Sequence, residues 1–177
     1  LLAQSDPKDV LLICFGVGNT ASAIAKHESI QRIDAVDLNT KVMETAPEFA
    51  DWNDQVYLDP RLRFIHDDGR NFLKVTDQTY DLVTSEPPPP LFAGVYRLYS
   101  REYYQDVLNH LKPQGMMTQW LPIYQMPPPA VELIIRTFVQ VFPHNLMFVG
   151  YGEEYILLGS KSPIDLKNVQ LRIGLYP

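Results

Sequence analysis

Short apolar runs that end at glycine or at an acidic residue recur along much of the chain, with amphipathic segments between them. The first run ends at Gly16, an alanine-rich segment follows from Ala21 to Ser29, and the next run ends at Asp37. Apolar runs of this length, bounded by turn residues, are typical of buried strands, and the segment between them has helical spacing. The stretch from Val10 to Asp37 therefore predicts a strand, a tight loop, a helix and a second strand.

The same alternation continues through most of the chain. We predict strands at 62–66, 80–85 and 116–122, helices at 40–51, 70–74, 100–111 and 130–142, and a closing antiparallel pair at 145–150 and 155–159. Alternating strands and helices favour a parallel sheet covered on both sides. The fold class predicted is α/β and Rossmann-like, a mostly parallel sheet with helices on both faces and an antiparallel strand pair near the C-terminus.

Capping residues and prolines predict where several helices begin, end or are excluded. Asn19 or Thr20 is a natural N-cap for the first helix, and Ser100 for the helix that starts there. Pro47 is expected to kink its helix or to end its first part. Four consecutive prolines, Pro87 to Pro90, exclude helix and central strand. The run from Lys112 to Gly115 is expected to stop the preceding helix.

Composition narrows the class of protein. The 177 residues suffice for about one domain, and an apolar content of 46% excludes a disordered chain. A formal net charge of −6 argues against a nucleic-acid partner and suits a cationic substrate. The single cysteine, Cys14, falls within the first apolar run, cannot form an internal disulfide and is expected to be a buried, inert thiol. Since no apolar run has the length of a membrane span, we expect a cytoplasmic location without membrane contact.

Candidate chemistry follows the ends of the predicted strands. Gly16 and Gly18 allow a sharp turn and a close approach to a ligand, and Asp37 stands where a carboxylate can accept both ribose hydroxyls. A Gly-x-Gly pair by itself also fits a purely structural turn. Asp68 could accept a hydrogen bond from an exocyclic adenine amine, and Glu86 lies where a substrate would be attacked. Together these strand ends predict a site for an S-adenosyl compound.

In their order and spacing, several motifs resemble the polyamine aminopropyltransferases, the spermidine synthases. The resemblance runs from about Val10 to Gln119 and is carried by these segments: Asp37-Leu-Asn-Thr-Lys-Val42, Asp59-Pro-Arg61, Asp68-Gly69 with Phe72-Leu73, Tyr80-Asp81-Leu-Val, Leu98-Tyr99-Ser100 with Glu102-Tyr103-Tyr104, and Leu111-Lys-Pro-Gln-Gly115 through Gln119. The resemblance implies a methyltransferase-like Rossmann fold. It also implies transfer of an aminopropyl group from decarboxylated S-adenosylmethionine to a small-molecule amine, with release of methylthioadenosine.

The resemblance also implies roles for individual residues. The cosubstrate site would comprise Gly16, Gly18, Asp37, Asp68 and Gly69. Glu86 matches the position of the catalytic base, and Tyr99 matches an aromatic residue beside the amine; the alternative for Tyr99 is a core aromatic. Gln119 and Tyr96 are assigned to substrate binding, although Gln119 could instead satisfy a buried backbone group. No tightly bound cofactor is implied, and the four histidines have no metal-ligand spacing.

Two departures from the family keep other functions open. An acid of the family's first loop is Val17 here, and its second amine-binding aspartate is Pro89. We expect residues 1–177 to form a single domain that lacks the strand domain preceding this fold in the family. The resemblance also allows a homodimer. One alternative is an S-adenosylmethionine-dependent methyltransferase, which is disfavoured because Cys14 stands where an acid would bind the methionine ammonium. The other is a catalytically impaired S-adenosyl-binding module of a larger protein.

Overall fold

Seven strands form one sheet in the computed structural model, which describes residues 4, 6–150 and 154–165. The strands are β1 Asp9–Ile13, β2 Arg32–Asp37, β3 Leu62–His66, β4 Tyr80–Ser85, β5 Leu111–Pro122, β6 His144–Val149 and β7 Glu154–Ser160. Their order across the sheet is β3-β2-β1-β4-β5-β7-β6. Strands β1 to β5 pair in parallel, and β7 runs antiparallel to both β5 and β6. The predicted mostly parallel sheet with an antiparallel pair near the C-terminus is confirmed.

Six α-helices accompany the sheet in the described part of the chain. They are α1 Asn19–Ala25, α2 Lys41–Thr45, α3 Ala50–Asn53, α4 Gly69–Val75, α5 Arg101–His110 and α6 Pro128–Val141. Because side chains alternate along a strand, Leu11 and Ile13 contact the core shared with α4, α5 and α6, whereas Leu12 packs with Ala21 of α1 on the other face. Helices therefore cover both faces, as the alternating pattern predicts.

Two proline-based predictions are confirmed. A 3₁₀ turn at Ala46–Phe49 contains Pro47 and separates α2 from α3, so the predicted helix is broken into two short ones. Pro87 to Pro89 lie in neither helix nor strand. The Ser100 cap is also confirmed, since its side chain accepts a hydrogen bond from the backbone N–H of Tyr103 at 3.2 Å.

Other local predictions are wrong or fall outside the described residues. The N-cap of α1 is Gly18 in a left-handed conformation, without a side-chain cap, and not Asn19 or Thr20. Residues 112–115 end α5 as expected but already belong to β5, which reaches its regular register with β4 after an irregularity between Tyr80 and Leu82. Cys14 follows β1 instead of lying within it. Residues 151–153 and 166–177 lie outside the described part.

Acidic residues near the starts of the parallel strands are paired with basic side chains. The buried carboxylate of Asp34 accepts hydrogen bonds from the hydroxyl of Tyr80 at 2.8 Å and from Nε of Arg63 at 2.9 Å. Lys112 Nζ lies 2.7 Å from the carboxylate of Asp81. Pairing offsets the cost of removing these charges from water. The acids that form such ion pairs here are Asp9, Asp34, Asp59 and Asp81.

Candidate active site

The loop between β1 and α1 forms part of the candidate site. The site lies at the carboxyl edge of the sheet, where the parallel strands end. Gly16 has a φ of +59°, and a Cβ placed there would meet nothing within 4 Å. Gly18 has a φ of +92°, and its Cβ would lie 3.0 Å from Cζ of Phe15 and 3.3 Å from Cβ of Asn53. Gly16 thus leaves open space for a ligand, while Gly18 is required by the turn and by packing.

Asp37 closes the same loop from the end of β2. One carboxylate oxygen accepts the backbone N–H of Phe15 at 2.8 Å, and the other accepts the backbone N–H of Asn39 at 2.9 Å. The side chain is only half-buried. Since a carboxylate offers about four acceptor positions, two remain for a ligand's hydroxyl groups. Asp37 therefore orders the loop and can still bind a ribose.

Asp68 is the N-cap of α4. Its side chain accepts the backbone N–H of Arg70 at 2.8 Å and that of Asn71 at 3.3 Å, both through one oxygen. A Cβ at Gly69 would lie 2.7 Å from Cγ2 of Ile13, so glycine here allows α4 to pack closely on the end of β1. The close packing holds the Asp68 carboxylate beside the end of β1.

Glu86 follows β4 and is fixed through both its backbone and its side chain. Its N–H donates to the carbonyl of Ile13 at 3.1 Å, and its carboxylate accepts the hydroxyl of Thr20 at 2.7 Å. Burial raises the pKa of Glu86; the hydrogen bond from Thr20 acts against this shift, and the negative charge of Glu154 adds to it. The result is a half-buried carboxylate with a stronger tendency to take up a proton.

The pKa of Cys14 indicates that the three predicted acids lie close together. Burial raises the pKa of the Cys14 thiol to about 12, and the charges of Asp37, Glu86 and Asp68 raise it further in the same direction. The thiol therefore stays protonated at neutral pH, as an inert cysteine should. The charges of these three acids, which follow β2, β3 and β4, all act on the same thiol, so the acids lie near one another at the carboxyl edge.

The aromatic residues after the proline run have different surroundings. Tyr99 is buried, and its hydroxyl donates to the carbonyls of Pro87 at 3.2 Å and Pro88 at 3.1 Å. Burial also raises the pKa of Tyr99. Tyr96 is 57% exposed, with the guanidinium of Arg97 5.9 Å from its ring centroid. Tyr99 thus anchors the segment that follows Glu86, and Tyr96 stands in solvent.

Gln119 is fully buried at the register position of Ser85. Its amide nitrogen donates to the carbonyl of Trp120 at 3.1 Å and to that of Ser85 at 3.4 Å. Its amide oxygen is buried and has no hydrogen-bond partner among the described residues. Gln119 satisfies backbone carbonyls, including the one that precedes Glu86, and also offers one unused acceptor.

Sequence reasoning missed two residues of the site. Thr20 was expected to cap α1 but bonds Glu86 instead. Glu154 was not singled out from the sequence, yet it begins β7 opposite Pro122, the last residue of β5. Because β7 is antiparallel to β5, its first residue lies at the carboxyl edge. The available signal was an acid directly before the last predicted strand, 155–159.

Within the described ranges, the chain has neither a metal-binding cluster nor a membrane-spanning helix. No group of three or more His, Cys, Asp or Glu side chains there is arranged to hold a metal ion. In that same part of the chain, no helix combines the length and apolar character needed to cross a bilayer.

Comparison with known proteins identifies similar chains. Residues 1–150 match the model of the spermine/spermidine synthase domain. Polyamine aminopropyltransferase 2 of Hyperthermus butylicus is 27% identical over 88% of this chain and 52% of its own length. The polyamine aminopropyltransferase of Aeropyrum pernix is 32% identical over 81% of this chain and 47% of its own length. The chain thus spans about half the length of these relatives.

Solved structures show the same fold. A spermidine synthase in complex with the transition-state analogue AdoDATO superposes with a TM-score of 0.84 at 23% identity, covering 94% of this chain and 59% of that one. Human methyltransferase-like protein 13 in complex with SAH superposes with a TM-score of 0.74 at 15% identity, covering 98% and 81%. The second superposition shows that this chain has a methyltransferase-type Rossmann fold. With the family model matched over most of the sequence, the chain belongs to the spermine/spermidine synthase domain family.

Proposed function

We propose that this chain transfers an aminopropyl group from decarboxylated S-adenosylmethionine to an amine. One contrast in the structure supports this most strongly. The acids near the strand starts are paired with lysine or arginine, whereas those at the carboxyl edge form no ion pair among the described residues. The unpaired acids at this edge are Asp37, Asp68, Glu86 and Glu154. An unpaired acidic edge suits a ligand that is itself cationic.

The proposed cosubstrate carries two positive charges, a sulfonium and an ammonium. Asp37 would accept the ribose hydroxyls, and Asp68 would accept the exocyclic adenine amine through its remaining acceptor positions. Gly16 provides the open space in which the nucleoside approaches the backbone. Gly18 and Gly69 hold the two loops in place around it. The cosubstrate is consumed in each turnover, so we propose no tightly bound cofactor.

Glu86 would be the base of the reaction. The amine must lose a proton before its nitrogen lone pair can attack the carbon next to the sulfonium. A new N–C bond then forms, the C–S bond breaks with its electron pair moving to sulfur, and neutral methylthioadenosine leaves. The proton passes to Glu86, whose pKa is already raised by burial. Thr20 orients the carboxylate through the 2.7 Å hydrogen bond.

The other predicted residues would position the amine. Tyr99 holds the proline segment through two carbonyls and so fixes one wall beside Glu86. We propose the buried amide oxygen of Gln119, which lacks a partner in the described part of the chain, as an acceptor for an amine hydrogen. Tyr96 would contact substrate from the exposed side. A homodimer and a cytoplasmic location stay predictions from the sequence.

Methylation is the competing function on this fold. S-adenosylmethionine differs from the proposed cosubstrate by a carboxylate, which would have to approach an edge that already carries four acids. Within the described part of the chain, no lysine or arginine forms an ion pair with those acids; the exposed guanidinium of Arg97 interacts with the charge of Asp68 but is not paired with it. Like charges close together cost free energy. The electrostatics therefore favour the decarboxylated compound.

The test is product formation by the wild-type chain and by Glu86→Gln. Methylthioadenosine release is measured with decarboxylated S-adenosylmethionine and 1,4-diaminobutane. We expect turnover by the wild type and a loss of about a hundredfold or more in kcat for Glu86→Gln, with unchanged affinity for methylthioadenosine. Glu48→Gln, an exposed glutamate on the 3₁₀ turn, is the charge-matched control. No turnover by the wild type, or full activity of Glu86→Gln, would overturn the proposal.

A further inference from the structure

The side chain of Asn53 is fully buried at the end of α3 and joins two segments that are distant in sequence. Its amide nitrogen donates to the carbonyl of Val17 at 2.9 Å and to that of Ala46 at 2.9 Å. Its amide oxygen accepts the backbone N–H of Gln55 at 3.0 Å. Because both partners of the nitrogen are carbonyls, the side chain must be a donor here, and its removal would leave two acceptors without a hydrogen bond.

The carbonyl of Val17 belongs to the loop between β1 and α1. The N–H of the same peptide group, which is that of Gly18, donates to the carbonyl of Phe15 at 3.1 Å. Rotation of this peptide group would therefore break two hydrogen bonds. The loop backbone also approaches Asn53 closely, since a Cβ at Gly18 would lie 3.3 Å from Cβ of Asn53. Asn53 thus fixes the orientation of the peptide group between Val17 and Gly18.

Two backbone donors of this loop are left for a ligand. In the described part of the chain, the N–H groups of Gly16 and Val17 donate to no protein acceptor. Gly16 is exposed, and the space around its Cβ position is open. The loop is held on both sides of these donors, by Asp37 at the N–H of Phe15 and by Asn53 at the carbonyl of Val17. Backbone N–H groups before a helix are suited to bind the acceptor atoms of a ligand.

The backbone directly after Asn53 has an unfavourable conformation. Asp54 has a φ of +49° and Gln55 a φ of +55°, a left-handed region that residues other than glycine rarely adopt. The carboxylate of Asp54 accepts the hydroxyl of Ser22 at 2.6 Å and lies 2.7 Å from Nζ of Lys26. Both partners belong to α1 or to its C-cap, so this segment is fastened to the helix that follows the loop. These contacts maintain the strained conformation and keep Asn53 against the loop.

We propose that Asn53 is a positioning residue for nucleoside binding. It holds the peptide group between Val17 and Gly18, so that the N–H groups of Gly16 and Val17 stay available to acceptor atoms of the nucleoside. Without this hydrogen bond the peptide group can rotate, and binding must then order the loop at a cost in affinity. The inference rests on the nucleoside site of the proposed function and adds to it a buried residue that acts through the loop.

The test compares the affinity of variants for methylthioadenosine by isothermal calorimetry, below their melting temperatures. Asn53→Asp keeps the size of the side chain and the acceptor for Gln55 but lacks both N–H donors, whereas Asn53→Ala lacks all three hydrogen bonds. We expect a loss of about tenfold in either variant. Asn145→Ala is the matched control, because Asn145 donates to the carbonyl of Phe142 at 2.9 Å from β6, which is separated from β1 by three strands. Its affinity should equal that of the wild type.

Two further measurements distinguish positioning from a general loss of structure. In Asn53→Asp, the KM for decarboxylated S-adenosylmethionine should rise about tenfold while kcat stays near the wild-type value, because Glu86 and its hydrogen bond from Thr20 are unchanged. A smaller folded fraction would instead lower kcat at unchanged KM. In the wild type, where no variant has to fold, hydrogen exchange at the N–H groups of Gly16 and Val17 should slow when methylthioadenosine binds.

The outcomes separate this inference from the proposed function. Undiminished affinity in Asn53→Asp, an equal loss in Asn145→Ala, a lowered kcat at unchanged KM, or unaltered exchange at Gly16 and Val17 would overturn the inference alone. If the wild type binds no methylthioadenosine, the nucleoside site and the inference fail together. If affinity depends on Asn53 but no product is formed in the activity assay, the transferase proposal fails and the role of Asn53 stands.

Discussion

The carboxylate of Asp37, at the end of β2, accepts the backbone N–H of Phe15, directly after β1, at 2.8 Å. This hydrogen bond joins residues 22 positions apart and fixes the loop that contains Gly16. The second oxygen of Asp37 accepts the N–H of Asn39. The group proposed to bind ribose is therefore already held in place before a ligand arrives, which lowers the ordering cost of binding.

Replacing Asp37 should damage both binding and stability. We expect Asp37→Ala to abolish measurable methylthioadenosine binding, because the ribose acceptor is lost and the loop is no longer fixed. Two backbone N–H groups also lose their acceptor, at a cost of about 1–3 kcal/mol in the free energy of unfolding. Calorimetric titration and urea denaturation measure the two effects. Asp51→Ala, at an exposed position on α3, is the control. Unchanged nucleoside affinity in Asp37→Ala would remove this residue from the site.

Comparing Gly16→Ala with Gly94→Ala should distinguish the loss of a ligand contact from the effect of backbone strain. The substitution costs about 1–2 kcal/mol, because alanine must adopt a left-handed conformation. Gly94 also has a positive φ and open space around its Cβ position, so Gly94→Ala carries a similar cost. We expect methylthioadenosine affinity to fall roughly tenfold, about 1.4 kcal/mol, in Gly16→Ala and to stay near the wild-type value in Gly94→Ala. Equal affinities for the two variants would contradict a close ligand approach at Gly16.

Because the pKa of Glu86 is raised, replacing Glu86 by a neutral residue should stabilise the fold more at high pH than at low pH. In the folded protein Glu86 retains its proton to a higher pH than in the unfolded chain, because burial disfavours the charge. Ionisation therefore destabilises the fold as pH rises above the ordinary glutamate range. We expect Glu86→Gln to raise the melting temperature at pH 8 and to leave it nearly unchanged at pH 4. A gain that is larger at pH 4 than at pH 8 would have the wrong sign.

Asp34 should matter for stability and not for ligand binding. Its buried carboxylate bonds Tyr80 and Arg63 near the starts of the strands, away from the carboxyl edge. Asp34→Asn weakens the buried hydrogen bonds to Tyr80 and Arg63; because the Arg63 side chain is 58% exposed and stays hydrated, the free energy of unfolding should fall by only about 1–2 kcal/mol. Under conditions where the variant is folded, its methylthioadenosine affinity should equal that of the wild type. A loss of affinity without a loss of stability would place Asp34 in the site.

Much of the fold could be predicted because local signals and burial agree. The bounds of β3 and β4 match the predicted 62–66 and 80–85, since each is a short apolar run closed by polar residues. Pro47 breaks its helix for a backbone reason that does not depend on the rest of the structure. The convergence of Asp37, Asp68 and Glu86 follows from parallel strands ending at one edge.

The remaining features depend on contacts between segments distant in sequence. Thr20 has the side chain of a helix cap, but the carboxylate of Glu86, 66 residues away, takes its hydroxyl. Glu154 reaches the site only because β7 inserts between β5 and β6 in reversed direction. The close packing of Gly69, where a Cβ would lie 2.7 Å from Cγ2 of Ile13, also depends on a residue 56 positions earlier. Propensity and spacing within one segment do not carry such information.

The acidic carboxyl edge should select a cationic nucleoside that lacks a carboxylate. The most direct measurement is calorimetric titration of the wild-type chain with decarboxylated S-adenosylmethionine, S-adenosylmethionine and methylthioadenosine. We predict that the decarboxylated compound and methylthioadenosine bind, and that S-adenosylmethionine binds at least tenfold more weakly than the decarboxylated compound. Tighter binding of S-adenosylmethionine, or no binding of any of the three, would contradict the account.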